Sequence, residues 1–175
     1  LGAGIRFIEY SIAKQNLVEE MDKCDLVINL AGSPVAARWT KKKKRDLIES
    51  RIGITRLIVD AIKESNKPPR TLISASAVGY YGDRGDEKLT ESSTKGEGFL
   101  PKLCEDWESS ALDAQSLETR VCLLRIGIVL GREGGILATL GSLFENNMGG
   151  YIGSKQYVSW IHIYDMVRIV DECIT

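Results

Sequence analysis

Three segments of this chain are apolar almost without interruption, and they constrain its fold more than any other feature. They are CDLVINLAG (24–32), RTLISASA (70–77) and TRVCLLRIGIVLG (119–131). A strand with one face in water alternates apolar and polar residues, whereas a strand covered on both faces does not. The continuous runs therefore predict buried strands of a parallel sheet. A shorter run, IRFIEYS (5–11), predicts a fourth strand near an edge of that sheet.

The segments between these runs have the periodicity of helices. Helices are predicted over about 40–64, about 101–116 and about 134–147, the second with Pro101 in its first turn. The polar, glycine-containing stretch 83–98 predicts a surface loop. Strands that alternate with helical crossovers are typical of a doubly wound parallel α/β sheet, and we expect residues 1–175 to form a single domain of that class.

Composition excludes several classes of function. The chain has 175 residues, a formal net charge of −1 and 43% hydrophobic residues, which indicates a globular protein rather than a general nucleic-acid-binding one. The basic run KKKKR (41–45) follows a helix-capping residue, Thr40, so we expect it on a solvated helix face. No apolar run approaches the roughly 18 residues that span a bilayer, and the N-terminal residues lack the order of a signal peptide. We therefore expect a cytoplasmic protein with no membrane partner.

Neither a metal site nor a disulfide is expected. The single histidine, His162, excludes a His-rich metal site, and no two cysteines form a CxxC pair. The four cysteines are widely spaced, and we expect them to be buried free thiols: Cys24, Cys104, Cys122 and Cys173.

The ends of the three predicted strands carry residues suited to a ligand site. Open α/β sheets bind ligands at the carboxyl ends of their strands, and glycine lets a flat ligand approach the backbone closely. The small or polar residues at these ends are Ala31 and Gly32, then Ser76 with Tyr80 and Tyr81, then Arg125 and Gly127. Each group has an ordinary explanation as a turn, but their convergence predicts that the strand ends surround one shared cleft.

Five blocks of sequence, in this order and spacing, resemble one family. They are DLVINLAGSP, LISASAVGYYGD, PKLCEDWE, TRVCLLRIGIVLG and GGYIGSKQYVSWIHIYDMV. The chain is similar to the epimerase-like family of atypical extended short-chain dehydrogenases/reductases, also described as nucleoside-diphosphate-sugar epimerase-like proteins with a Rossmann-like fold. The last block is the most distinctive, with matches at Gly149, Gly150, Gly153, Gln156, Trp160, Ile161, His162, Ile163 and Asp165.

The resemblance implies an NAD(P)-dependent epimerase or oxidoreductase that acts on a nucleotide-sugar-like substrate, with NADP or NAD as cofactor and a possible homodimer. Ser76, with Ser74 as second choice, would hold the substrate oxygen, and Lys102 would hold the cofactor ribose. The residues expected to line the cofactor are Asn29, Leu30, Ala31, Gly32, Ala75, Lys102, Arg125 and Gly127. Those expected to meet the substrate are Arg38, Trp39, Tyr80 and Trp160. Arg38 and Trp39 fit equally well at the start of a helix, with the arginine in a salt bridge and the tryptophan in the core.

The chain departs from the family pattern at its beginning. The strand, GxxGxxG turn and helix that open the family fold have no match, because GAG (2–4) is followed by Phe7 where a third glycine belongs. Such a turn normally binds the pyrophosphate on backbone amides. We therefore expect the chain to be truncated at both ends relative to the family.

The second departure concerns proton transfer. Short-chain reductases use a Tyr-x-x-x-Lys pair, and Gly98 stands four residues before Lys102 where the tyrosine belongs. Tyr80 or Tyr81 could replace it, so Tyr81 is the third catalytic candidate. The alternatives are a non-catalytic NADP(H)-binding or interaction module, or an inactive fragment. A Ser76–His162–Asp165 triad is disfavoured because no GxSxG motif is present, and His162 fits better as a residue that fixes a strand-to-helix junction.

Overall fold

The computed structural model describes residues 14–132, 134–137, 141, 145–146, 150 and 157–174. The predicted strand at 5–11 and most of the predicted helix at 134–147 lie outside these residues, as do Gly149, Gly153 and Gln156. The chain divides into two compact units, of which the first contains residues 1–74 and 109–121 and the second contains residues 75–108 and 122–175.

Strands and helices alternate as the sequence predicts. In chain order the helices and strands are α1 (Lys14–Met21), β1 (Leu26–Asn29), α2 (Lys41–Ile48), α3 (Ile54–Glu64), β2 (Thr71–Ala77), α4 (Phe99–Leu112), β3 (Arg120–Ile126), β4 (Ile128–Leu130), β5 (Trp160–His162) and α5 (Ile163–Glu172). A π-helical turn, Glu49–Gly53, joins α2 to α3, and 3₁₀ turns follow β2 (Val78–Tyr81) and α4 (Asp113–Leu117).

The strands form two sheets. The larger has the order β1-β2-β3, and β1 pairs in parallel with β2 from Leu26↔Thr71 to Asn29↔Ser74. The smaller pairs β4 in parallel with β5. These parallel sheets with intervening helices confirm the predicted α/β class.

The prediction of one continuous strand over 119–131 is wrong in one respect, because the run breaks at Gly127 into strands of different sheets. A β-carbon at Gly127 would lie 2.5 Å from the carbonyl oxygen of Ser159, which accepts a 2.8 Å hydrogen bond from the backbone N–H of Ile128. Only glycine allows the two backbones to approach this closely.

The first unit is organised around the apolar face of α3. Its core residues are Met21, Val59, Ala61, Ile62, Leu72 and Ala114. Thr40 caps α2 by accepting a 3.1 Å hydrogen bond from the N–H of Lys43, as predicted. The basic run Lys41–Arg45 is exposed or half-exposed, in agreement with a solvated face.

The side chains of β2 are almost all buried, as expected for a strand covered on both faces. Those of β1 and β3 are mostly half-buried, so the prediction of full burial is wrong for these two strands. The helix predicted from Pro101 begins two residues earlier, so that Pro101 still lies in the first turn, where its missing N–H is tolerated. The loop predicted at 83–98 has no helix or strand and is mostly exposed. All four cysteines are free thiols, although only Cys104 is fully buried.

Within the described part of the chain, no helix is both long enough and apolar enough to cross a membrane.

Candidate functional site

The end of β1 is a tight turn fixed from within. Asn29, which is 3% exposed, donates a 2.9 Å hydrogen bond from Nδ2 to Oγ1 of the buried Thr55. Its Oδ1 accepts a 3.2 Å bond from the N–H of Ala31. Both ends of the Asn29 amide are therefore used to shape the turn. The residues that this turn presents to solvent are the apolar Leu30, 59% exposed, and Gly32.

A guanidinium group lies beside this turn. Arg51 donates a 3.0 Å hydrogen bond from Nη2 to the carbonyl oxygen of Ser33 and a 3.4 Å bond from Nη1 to Oγ of Ser50. A β-carbon at Gly32 would lie 3.1 Å from the guanidinium carbon of Arg51. The absence of a side chain at Gly32 therefore leaves room for the cation against the backbone.

Arg51 is not among the site residues predicted from the sequence. It lies in the π-helical turn between α2 and α3, and an apolar pattern with the period of a helix cannot reveal such a turn. Turns of this kind occur frequently at functional sites.

Ser33, in the same turn, has an unsatisfied hydroxyl. Its Oγ is buried and has no hydrogen-bond partner among the described residues, whereas its N–H donates a 3.0 Å bond to Oγ of Ser50. A buried hydroxyl without a partner destabilises a fold by about 1–3 kcal/mol. Such a group therefore needs an explanation, and a bound ligand would provide one.

Arg38 and Trp39 lie in the segment before α2. Trp39 is 40% exposed and donates a 3.1 Å hydrogen bond from Nε1 to the carbonyl oxygen of Val35, so its ring is not in the core. Arg38 is exposed and forms no ion pair within the described part of the chain. Both side chains are accessible, and their predicted contact with substrate stays a prediction.

The end of β2 has a different character, because its hydroxyls are held in a buried ionic network. Ser76 donates a 2.6 Å hydrogen bond from Oγ to Oε1 of Glu108. Arg125 binds both oxygens of the Glu108 carboxylate at 2.8 Å and donates a 2.9 Å bond from Nη1 to the hydroxyl of Tyr81. The ring of Tyr80 lies 3.6 Å from the guanidinium carbon, within cation–π distance.

The Glu108–Arg125 network accounts for the positions of three predicted site residues. The side chains of Glu108 and Arg125 are 8% and 20% exposed, and the hydrogen bond from Glu108 raises the pKa of Arg125 above its ordinary value. A fork-shaped guanidinium matches a carboxylate in two parallel bonds. Within the second unit the structure therefore brings together Ser76, Tyr81 and Arg125, but Ser76 and Arg125 bind Glu108 and Tyr81 binds Arg125.

Glu108 is a second residue that was not predicted from the sequence. It lies on α4 near Cys104, Trp107 and Ala111, all of which are buried. An acidic residue among buried positions of an amphipathic helix was the signal, because such a charge needs a partner. The other predicted residues of β2, Ser74 and Ala75, are buried within the strand.

Lys102 lies apart from the network, on the exposed side of α4. Its Nζ lies 2.7 Å from Oδ1 of Asp106 and 3.2 Å from Oε2 of Glu105, and its side chain is 61% exposed. The hydrogen bonds to these carboxylates raise its pKa above the ordinary 10.5. Lys102 is therefore a protonated lysine held by its own helix.

Gly98, at the position of the missing tyrosine, immediately precedes α4 and has φ +103°. Residues with a β-carbon rarely adopt that conformation. The backbone itself therefore disfavours a tyrosine at this position.

A cavity of about 580 Å³ lies in the second unit. Its polar lining residues include Tyr81, Thr90, Glu91 and Arg125, while most of the wall is apolar and includes Val78, Leu89, Leu123, Trp160, Met166 and Ile169. Gly127 and Ser159 also line it. Trp160, predicted to meet substrate, is 63% exposed on β5. The size and lining are typical of a small-molecule site.

His162 caps a helix, as its position at a strand-to-helix junction predicts. It is the N-terminal cap of α5, and its Nδ1 accepts a 3.4 Å hydrogen bond from the N–H of Tyr164. Asp165 lies in the first turn of the same helix, 3.9 Å from Arg168, where a carboxylate is favoured by the helix dipole. Both residues thus have structural roles in this helix.

Comparison with known proteins identifies the family. Residues 2–175 match the model of the NAD dependent epimerase/dehydratase family. The chain belongs to this family. It is 42% identical over 152 residues to the epimerase family protein SDR39U1 homolog, chloroplastic, of Arabidopsis thaliana, covering 85% of this chain and 44% of that protein. It is 43% identical over 146 residues to the epimerase family protein ML0860 of Mycobacterium leprae, covering 82% of this chain and 47% of the relative.

Two solved structures are similar over most of the chain. The human epimerase family protein SDR39U1 with NADPH has a TM-score of 0.77 and 31% identity, covering 88% of this chain and 55% of that one. The nucleoside-diphosphate sugar epimerase of Corynebacterium glutamicum has a TM-score of 0.80 and 37% identity, covering 99% of this chain and 36% of that one. The resemblance in the sequence is thereby confirmed. The chain spans about half the length of the curated relatives that it matches.

Proposed function

We propose that this protein binds a nicotinamide dinucleotide at the end of β1. The observation that carries the proposal is the turn from Asn29 to Ser33, which follows the parallel strand β1 and presents an exposed leucine, a glycine and an unsatisfied serine hydroxyl. Carboxyl ends of strands are where open α/β sheets bind nucleotides. The human relative with NADPH supports the choice of ligand.

The residues of this turn fit such a cofactor. Leu30 offers an apolar surface to a ring, and the backbone at Ala31 and Gly32 offers close approach without side-chain obstruction. When bound, the dinucleotide would supply a hydride donor or acceptor. The chain's own residues would bind and orient it. NADPH and NADH are both candidates.

A titration followed by the fluorescence of the reduced cofactor tests this proposal. We expect Leu30→Ala to weaken binding several-fold, since an exposed leucine contributes on the order of 1 kcal/mol when a ligand covers it. Leu112→Ala is the matched control, because Leu112 is 39% exposed in the same unit but lies on α4. Absence of binding by the unaltered chain at millimolar NADPH and NADH would reject the proposal.

Proton transfer by a Tyr-x-x-x-Lys pair is not part of the proposal. Gly98 has no proton to donate, and Lys102 already binds Asp106 and Glu105. The hydroxyl of Ser76 donates its hydrogen bond to the carboxylate of Glu108. These three observations favour a cofactor-binding module over the usual reductase, and they predict no turnover through that mechanism.

One observation favours a second candidate, an epimerase or oxidoreductase acting on a nucleotide-sugar-like substrate. The hydroxyl of Tyr81 accepts a hydrogen bond from Arg125, and the residue lines the cavity. The phenolic proton is thereby available for donation. Tyr81 would take the role of acid, and the cavity would hold the substrate.

Substitution separates the two candidates. Tyr81→Phe would abolish turnover of a substrate without changing cofactor affinity, whereas Tyr80→Phe, which keeps the ring against Arg125, would not. Equal turnover by the two variants and the unaltered protein would remove Tyr81 from the chemistry. The single-domain organisation, the cytoplasmic location and the homodimer stay predictions, and light scattering after size exclusion tests the homodimer.

A further inference from the structure

We propose that Arg51 and the hydroxyl of Ser33 form a phosphate-binding site beside Gly32. The proposal deepens the proposed function, on which it rests for the identity of the ligand: the phosphate would belong to the dinucleotide. It adds two binding residues that are not among those expected from the sequence.

The position of the guanidinium is the first argument. Arg51 is held at 3.0 Å from the carbonyl oxygen of Ser33, and Ser50 Oγ both accepts from Arg51 and accepts from the N–H of Ser33. A side chain held at two points has lost most of its conformational freedom before a ligand arrives. Its planar fork of donors suits the oxygens of a phosphate.

Gly32 provides the second argument. A β-carbon there would come within 3.1 Å of two guanidinium atoms of Arg51, although Gly32 itself is exposed. The cation therefore lies against bare backbone at the accessible face of the turn. A ligand that contacts the backbone of Gly32 would meet the guanidinium directly.

The unsatisfied hydroxyl of Ser33 provides the third argument, independent of the other two. The residue whose carbonyl binds Arg51 also carries the buried Oγ without a partner in the described part of the chain. A phosphate oxygen is a strong acceptor and would satisfy this donor. One anion bound beside Gly32 would thus satisfy the orphaned hydroxyl and meet the guanidinium held next to it.

The matched experiment compares two arginines on neighbouring helical turns. Arg51→Gln should weaken NADPH binding by about 10-fold or more, as expected for loss of a charge-assisted hydrogen bond. Arg56→Gln removes the same charge from an exposed position on α3 and should change the affinity by less than about 2-fold. Equal weakening by both variants would overturn the proposal, because it would indicate a general effect of charge.

Ser33→Ala gives a readout that a purely structural serine would not give. Because it removes an unsatisfied buried hydroxyl, it should raise the melting temperature of the ligand-free protein. The same change should weaken NADPH binding severalfold. A lower melting temperature, or an unchanged affinity, would contradict the assignment of Ser33.

Inorganic pyrophosphate separates failure of this inference from failure of the proposed function. If the unaltered chain binds pyrophosphate and Arg51→Gln abolishes that binding, the phosphate site stands even where NADPH does not bind. If NADPH binds with equal affinity to the unaltered protein and to Arg51→Gln, the site is overturned while dinucleotide binding stands. The affinity of Arg51→Lys, which keeps the charge but not the planar fork of donors, should lie between the affinities of the unaltered protein and of Arg51→Gln. This variant also tests whether the glutamine variant loses binding only because it folds poorly.

Discussion

The ends of β1 and β2, two neighbouring parallel strands, contrast in how their polar groups are used. At β2 the hydroxyls of the two catalytic candidates already have charged partners, because Ser76 bonds to Glu108 and Tyr81 to Arg125. At β1 the turn leaves the Ser33 hydroxyl without a partner and presents Leu30 and Gly32 to solvent. An unused group can bind a ligand, whereas a used one must first give up its partner. We therefore expect the polar groups at the end of β1 to bind a ligand and those at the end of β2 to stabilise the fold.

The largest effect should come from breaking the β2 network. Glu108→Ala leaves the mostly buried guanidinium of Arg125 without its carboxylate, and loss of one partner of a buried ion pair destabilises by about 3–5 kcal/mol. Glu105→Ala, on the exposed side of the same helix, should have a much smaller effect. Urea unfolding monitored by circular dichroism measures both. Similar losses of unfolding free energy from the two variants would show that the Glu108–Arg125 pair stabilises the fold no more than an exposed pair does.

A tyrosine introduced at Gly98, where the short-chain reductase pattern has one, tests whether the backbone before α4 tolerates a side chain. Gly98→Tyr places a β-carbon at φ +103°, which should destabilise the fold by about 1–3 kcal/mol. Gly134→Tyr is the control, since neither glycine has an atom within 4 Å of an added β-carbon and Gly134 lacks the positive φ. Gain of reductase activity by Gly98→Tyr with unchanged stability would contradict our account of this position.

The parts of this molecule that could be predicted are those written in local patterns. The continuous apolar runs predicted the strands, although only β2 is almost wholly buried. Thr40 predicted a helix start, and His162 was expected to fix the strand-to-helix junction that it caps. Sequence spacing did not predict the π-helical turn that places Arg51, because that turn breaks the helical period. Nor did it predict the pairing of Glu108 with Arg125, since a contact across 17 positions depends on tertiary packing. Ser76 was placed correctly on its strand, but the partner of its hydroxyl could not be known.

At the β1 end, a smaller effect is expected from Thr55→Val. The change removes the acceptor of the Asn29 amide at 2.9 Å while keeping the volume of the side chain, and an unpaired buried donor costs about 1 kcal/mol or slightly more. Because Asn29 also holds the N–H of Ala31, cofactor affinity should fall together with stability. Thr55→Ser, which keeps the hydroxyl, should retain the affinity. Loss of stability without loss of affinity would separate this turn from the binding site.

The smallest effect should come from Lys102, whose pairs are exposed. The pKa of Lys102 is raised above 10.5 by Asp106 and Glu105, so its protonated form is the one that the fold stabilises. The stabilisation is complete below the pKa that Lys102 has in the unfolded chain, and it is lost as the pH rises through the higher pKa that Lys102 has in the folded protein. Lys102→Gln should therefore lower the melting temperature slightly and by the same amount at every pH from 6 to about 9, and the difference should vanish only above pH 10.5. If Lys102 instead holds the cofactor ribose, the same variant would lose NADPH affinity at pH 7 with no matching change in melting temperature. That result would return a binding role to α4 and reduce the contrast between the two strand ends.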